Sequence, residues 1–341
     1  MRVAIASGKG GTGKTTVATN LAYVAALAGV GVVYADCDVE EPNGHLFLKP
    51  VIAADYPVTK AVPQVDAQRC RACGQCAEFC QFNAIVCVGT QTLVYPELCH
   101  ACGGCRLVCP QEAITETLRE IGRVQPGRAG QMVFCQGVLR VGEAQSPPVI
   151  RAVKAALPPA DLVLLDAPAG TSCPVVETMR GSDFLVLVTE PTPFGLHDLR
   201  LAVELAGTLR LSCGVVINRA VAGWTEVRQF CQQARIPVLA QIPDDLAVAE
   251  AYSEGSLAAE AVPGYRRRFA DLLRGVLRAA NGGSLSESWR AELETECRIP
   301  QPAPTPAPAA DAHRNPPVCF LSFRPKSPIP RPNVAGDSRS K

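Results

Sequence analysis

The 341-residue chain lacks a charge imbalance, a membrane-length apolar run and a recognisable leader, and each absence removes a class of function. Basic side chains number 33 against 32 acidic ones, a net charge of +1, so no field is built to attract nucleic acid or an acidic membrane surface. The longest apolar stretch, Leu21 to Ala35, is too short to span a bilayer and is broken by Gly29 and Gly31. It reads better as the end of a buried helix, a turn and a buried strand. Met1-Arg2-Val3-Ala4-Ile5-Ala6 runs straight into a glycine loop, with no charged segment, apolar core and cleavage site. The expectation is a cytoplasmic protein. Apolar residues make up 48% of the chain, enough for a sizeable core, and there are 16 cysteines. Without a secretory leader, grouped cysteines point to metal ligation rather than disulfides.

Short apolar runs at Val3–Ala6, Gly31–Ala35, Leu162–Leu165, Phe184–Val188, Gly214–Ile217 and Val238–Ile242 alternate with helix-length segments. Continuous apolar strands between helices imply an α/β fold, a mostly parallel sheet with helices on both faces. A stretch of different character interrupts it, and the division expected is 1–59, an insert at 60–120, then 121–280, with 121–145 a hairpin returning the chain to the sheet. From 281 to 341 the composition turns proline-rich with few large apolar residues, which predicts a disordered tail.

Gly8-Lys9-Gly10-Gly11-Thr12-Gly13-Lys14-Thr15, followed by Thr16, fits G-x-x-x-x-G-K-[ST] between a strand and a helix. Glycines let backbone N–H groups curl around a β-phosphate, and the helix N-terminus adds partial positive charge. Lys14 would neutralise β/γ oxygens, and the Thr15 hydroxyl would face Mg²⁺. ATP and Mg²⁺ are the cofactors expected.

Lys9, a second lysine inside the loop, resembles the deviant loop of the MinD/ParA-type ATPases, which include the nitrogenase iron protein and Mrp-like carriers. The resemblance covers about 1–48 and 150–280. It implies that Lys9 reaches a partner's nucleotide in an ATP-dependent homodimer. Asp36-Cys37-Asp38 resembles the first switch, with Asp38 positioning or activating water. Asp166 resembles the Walker B carboxylate holding Mg²⁺. Ala167-Pro168-Ala169-Gly170-Thr171 resembles the second switch, with Gly170 sensing the γ-phosphate, and Asn218-Arg219 matches the adenine-recognition position. A helix cap is the structural alternative for Asp38 and Asp166. Glu40 and Glu41 compete with Asp38 for the hydrolytic role, and Pro42 stands where some relatives carry a second aspartate.

Eight cysteines fall in two runs, Cys70-x₂-Cys73-x₂-Cys76-x₃-Cys80 and Cys99-x₂-Cys102-x₂-Cys105-x₃-Cys109-Pro110, an internal repeat offset by 29 residues. Ala84-Ile85 and Ala113-Ile114 extend the match. The runs resemble bacterial two-cluster ferredoxins, so the insert would be a small α+β ferredoxin-like domain carrying two [4Fe–4S] clusters. The resemblance implies that Cys70, Cys73, Cys76 and Cys109 hold one cluster and Cys99, Cys102, Cys105 and Cys80 the other. Zinc needs four ligands per site and leaves the third cysteine of each run unexplained.

Cys173, seven residues past Asp166, sits at an offset similar to a cluster ligand of the nitrogenase iron protein. A small buried residue is the alternative there, with Cys135 a second candidate contributor. Cys37, Cys87, Cys213 and Cys231 lie in apolar runs and read as core. Residues 265–279 form a basic amphipathic helix whose apolar face packs on a sheet or, less simply, on a membrane. The leading expectation is an ATP-gated electron-transfer protein acting on an unidentified redox partner. A carrier in iron–sulfur or metal-cofactor assembly and a MinD-like positioning ATPase with structural clusters are the alternatives.

Overall fold

Strands apolar on every residue need cover on both sides, and that requirement organises the molecule. The computed structural model describes residues 1–221 and 223–281. The expected tail therefore lies outside the described residues, apart from Asn281. The first strand, β1 (Arg2–Ser7), leads through the glycine loop into α1 (Lys14–Leu27) and returns as β2 (Val32–Asp36). A short helix, α2 (Gly44–Leu48), precedes β3 (Val51–Ile52) and β4 (Tyr56–Val65). The cysteine runs follow, carrying α3 (Gln75–Phe79), the hairpin β5 (Ile85–Val88) and β6 (Gln91–Val94), and α4 (Gly104–Leu107). The chain comes back along β7 (Ile114–Ala129) and β8 (Met132–Leu139). Then α5 (Pro147–Ala155), β9 (Leu162–Ala169), α6 (Cys173–Met179), β10 (Phe184–Thr189), α7 (Pro193–Thr208), β11 (Cys213–Ala220), α8 (Glu226–Gln233) and β12 (Val238–Pro243) alternate. Three helices close the fold, α9 (Leu246–Ser253), α10 (Ala258–Ala261) and α11 (Tyr265–Ala280).

The strand order is β12-β11-β10-β1-β9-β2-β8-β7-β3, with β4 paired to β7. From β12 to β8 every pairing is parallel, whereas β7 is antiparallel to β3, β4 and β8. This is the mostly parallel, helix-covered sheet of a P-loop NTPase. Alternate residues feed opposite layers. Val3, Ile5, Tyr34, Phe134, Leu164 and Phe184 pack under α1 and α11. Ala4, Val33, Leu165 and Leu185 face α5, α6, α7 and α8. On α11 the apolar side chains Phe269, Leu272, Leu273, Val276 and Leu277 are all buried in the first layer, so that face is core rather than a free membrane surface. Among the described residues no helix is long and apolar enough to cross a membrane.

The boundaries expected at 60 and 120 fall inside β4 and β7. These two strands pair from Tyr56–Val124 to Val65–Ile114 with one register shift, forming a ribbon that starts at the sheet and ends at the cysteines. All described residues belong to one compact unit. The insert is therefore an arm grown from the sheet edge. Of the cysteines read as core, Cys37 and Cys231 are fully buried, while Cys87 and Cys213 are only partly so.

Candidate functional site

In a parallel sheet every strand ends its run at the same edge, and the loops beyond the carboxyl ends meet there. The ends of β1, β2, β9, β10 and β11 bring Lys9, Lys14, Asp38, Asp166, Glu190 and Asn218 to one edge although the chain separates them widely. Two glycines of the loop are sterically required. A side chain on Gly8 would collide with the backbone of Asp198, and one on Gly13, whose φ is +88°, would collide with the Asn218 amide. Lys14 is buried, its ammonium 3.7 Å from Asp38 Oδ2 and 3.8 Å from Asp166 Oδ1. The lysine thus bridges the two carboxylates singled out for switch and Walker B roles.

Asp166 is fully buried and accepts a 2.9 Å hydrogen bond from the Tyr34 hydroxyl on Oδ2, while its Oδ1 has no hydrogen-bond partner. Burial pushes its carboxyl up, opposed first by the Lys14 ammonium. Asp38 is pushed up to about 6, chiefly by burial, with Lys14 pulling down and Asp166, Glu40 and Glu41 pushing further up. Asp36 stands behind both. It is fully buried and accepts N–H bonds from Asp38, Asn43 and Gly44 at 2.8–3.1 Å, which folds the loop around Pro42 and caps α2. Burial and then Asp166 raise it to about 8. The first-switch resemblance singles out Asp38 and gives Asp36 no role of its own.

Other expected site residues are engaged within the chain. The Gly170 N–H donates to the Ser7 carbonyl at 2.9 Å, and Asn218 donates its side-chain amide to the Thr12 carbonyl at 2.8 Å. Lys9 forms a 2.7 Å ion pair with Glu190, whose second oxygen takes Arg219 at 2.7 Å. Sequence reasoning passed over Glu190 because it lies 181 positions from Lys9. The local signal was there, an acid ending an all-apolar strand. Cys173 is exposed at the start of α6, and Cys135 is buried in the sheet, where burial pushes its thiol up to about 12. Cys135 is thus core and is removed as a surface contributor beside Cys173.

In the arm, the two cysteine runs interleave. One small cavity is lined by Cys70, Cys73, Cys76 and Cys109. A second is lined by Cys80, Cys99, Cys102 and Cys105. Each takes three thiols from one run and the last from the other. Ala72 and Ala101, both at positive φ, turn their N–H groups onto Cys70 and Cys99 Sγ at 3.4 Å. Among the described residues no three His, Cys, Asp or Glu side chains converge closely enough to hold a single metal ion. The thiols instead ring two spaces.

One segment touches both regions. Ser146 donates its hydroxyl to Glu40 at 3.0 Å, two residues past Asp38, and Gln145 donates its amide to the Cys99 carbonyl at 3.3 Å. Leu139 N–H bonds the Val39 carbonyl at 2.7 Å, and Glu143 forms a buried ion pair with Lys60 of β4.

A family model described as the CobQ/CobB/MinD/ParA nucleotide binding domain matches residues 3–258. An uncharacterized protein of Methanocaldococcus jannaschii is 32% identical over 225 residues, covering 64% of this chain and 78% of the relative. An uncharacterized ATP-binding protein of the same organism is 24% identical over 261 residues, covering 74% and 78%. Among solved structures, the septum site-determining protein MinD complexed with Mg-ADP from Pyrococcus horikoshii shares 23% identity at a TM-score of 0.49, covering 83% of this chain and 98% of that one.

Proposed function

The chain belongs to the CobQ/CobB/MinD/ParA nucleotide-binding family, and from that premise we propose that it is an ATP-hydrolysing iron–sulfur protein whose ATP-driven dimerisation governs electron transfer through two [4Fe–4S] clusters. The observation that carries this reading is the pair of cavities, each ringed by four thiols drawn three-and-one from the two runs. Four thiols around each space match the ligand set of a [4Fe–4S] cluster. When bound, the clusters supply one-electron storage on an arm covalently continuous with the ATPase sheet. The 139–146 segment, bonded to Val39 through Leu139, to Glu40 through Ser146 and to the Cys99 carbonyl through Gln145, is the physical link between nucleotide loop and arm.

At the nucleotide edge the residues divide the work. Loop N–H groups from Gly8 to Thr16 cradle the phosphates, and Lys14 leaves its carboxylates for the β/γ oxygens. Asp166 Oδ1, which makes an ion pair with Lys14 but no hydrogen bond, and the Thr15 hydroxyl suit Mg²⁺, which would neutralise phosphate charge. Asp38, raised toward neutrality, suits acceptance of a proton from the attacking water. Lys9 must leave Glu190 to reach a partner, and Gly170 must leave Ser7 to meet a γ-phosphate, so nucleotide and dimerisation compete with bonds already made. Asn218 and Arg219 border the place for the base.

Two measurements on anaerobically prepared full chain test this reading. Iron and sulfide should each approach about eight per chain, as two [4Fe–4S] units require. Mg-ATP should convert monomer to dimer in wild type and leave Lys9→Ala monomeric, by light scattering. Zinc in place of iron, or an ATP-independent mass, would count against it. The exposure of Cys73 and Cys102 favours a second reading, in which clusters are cargo for an assembly partner. Transfer of iron to an apo-acceptor on ATP addition distinguishes it.

A further inference from the structure

The two cysteine runs repeat at an offset of 29 residues, so residues near the two cavities can be compared position by position. The thiols match one for one, but their neighbours do not. Thr92 lines the first cavity, 3.4 Å from Cys70 Sγ, and its counterpart Pro63 lines the second. Cys87 lies against Cys76 and 3.3 Å from the Thr92 hydroxyl, and its counterpart Glu116 lines the second cavity. Arg71 corresponds to His100, and Gln111 to Phe82, and the His100 and Phe82 rings stack with centroids 3.5 Å apart beside the second site.

Every replacement acts with the same sign. A ligating thiolate only accepts hydrogen bonds, so the Thr92 hydroxyl must donate to Cys70, and proline offers no donor at all. The Cys87 S–H is a further donor, whereas Glu116 carries a negative charge. Arginine is a permanent cation. The Ala113 N–H adds a bond to Cys109 at 3.3 Å in the first site. Reduction adds negative charge to a cluster, so donors and cations stabilise the reduced form and a carboxylate opposes it. Two compensating charges lie near the second site. Arg106 pairs with Glu116 at 3.5 Å, but its side chain is 62% exposed and screened. Lys60, whose charge reaches His100, is already paired with Glu143.

We infer that the two sites are built with unequal reduction potentials, the Cys70/Cys73/Cys76/Cys109 site higher and the Cys80/Cys99/Cys102/Cys105 site lower, with Thr92 and Glu116 as the tuning residues. The lower-potential site is the one tied to the ATPase body through Gln145 and Cys99. In the one-electron-reduced protein the electron resides at the first site. The inference rests on the iron–sulfur reading above.

Redox titration of the cluster-loaded full chain, followed by electron paramagnetic resonance, tests it. Two midpoints are expected. Thr92→Val should lower only the higher one and Glu116→Gln raise only the lower one. Each shift should be about a tenfold change in equilibrium, ~59 mV for one electron. Thr92→Ser, which keeps the hydroxyl, should retain the wild-type value. Coincident midpoints, or shifts in the opposite member of the pair, overturn the assignment while leaving the iron–sulfur reading intact. A chain that holds no iron after anaerobic reconstitution overturns the reading and this inference with it.

Discussion

The sheet body buries Tyr34, Phe134, Phe184 and Phe269 almost completely, whereas the arm buries little beyond Val62, Ala84, Ile85, Ala113, Ile114, Cys76 and Cys99. The arm also leaves Phe79, Phe82, Tyr95, Leu107 and Leu118 exposed. A body of this kind is held by two apolar layers that close independently of any ligand. An arm of this kind has few buried side chains to offset the ordering of its loops, and on the iron–sulfur reading proposed above ligation supplies the rest. The contrast separates a nucleotide edge made of competing hydrogen bonds on a rigid frame from an arm whose order, on that reading, depends on its clusters.

The comparison is broken if the body tolerates a core deletion or the arm does not tolerate a surface one. Phe134→Ala should cost about 3–5 kcal/mol in urea unfolding, the range for truncating a buried aromatic. Leu107→Ala, at a side chain 85% exposed, should stay within about 0.5 kcal/mol. Nearly as large, Lys14→Ala should slow ATP turnover roughly 10²–10³-fold, as loss of one preorganised charge does. The iron content of the arm should not change. Chelating the iron anaerobically should raise amide exchange across 66–113 by on the order of tenfold or more, as expected where ordering depends on the ligand. The strands Leu162–Ala169 and Phe184–Thr189 should keep their protection. Equal loss in both regions would merge them into one cooperative unit.

The smallest effect is a pH slope confined to the body. In the folded chain Asp36 sits at about 8 and Asp38 at about 6, both above the ordinary 3.8. The folded state therefore holds protons that the unfolded chain has already released. Stability of the nucleotide-free protein should fall as pH rises from about 4 through 6 toward 8. Asp38→Asn should remove the part of the fall that lies between about 4 and 6. Melting temperatures across that window check both, and a rise with pH would reverse the sign.

Local chemistry was the most legible. The loop from Gly8 to Thr15 and the two cysteine runs are short segments in which ligand geometry dictates spacing, so each could be read without knowing the fold. Strands apolar throughout announced a sheet covered on both faces. What escaped lay in pairings across long separations. Glu190 gains its meaning only when β10 docks beside β1 and presents it to Lys9. Asp36 looked like a neighbour of Asp38 until its carboxylate was seen to gather three backbone donors. The polar 16-residue β7 shows no clean alternation, because it pairs with β4 along the arm and with β8 in the sheet, and the boundaries expected at 60 and 120 fall inside strands. Cys87 was grouped with the core because it lies in an apolar run. Its place beside Cys76 follows from how the hairpin folds over the first run.

The central claim is that nucleotide edge and arm work as one device through the 139–146 segment. The most direct test is the steady-state ATPase rate of one anaerobic preparation of the full chain, measured with its clusters oxidised and again after reduction. The two rates should differ in wild type and converge when Ser146→Ala and Gln145→Ala are combined. Identical rates in wild type would contradict it.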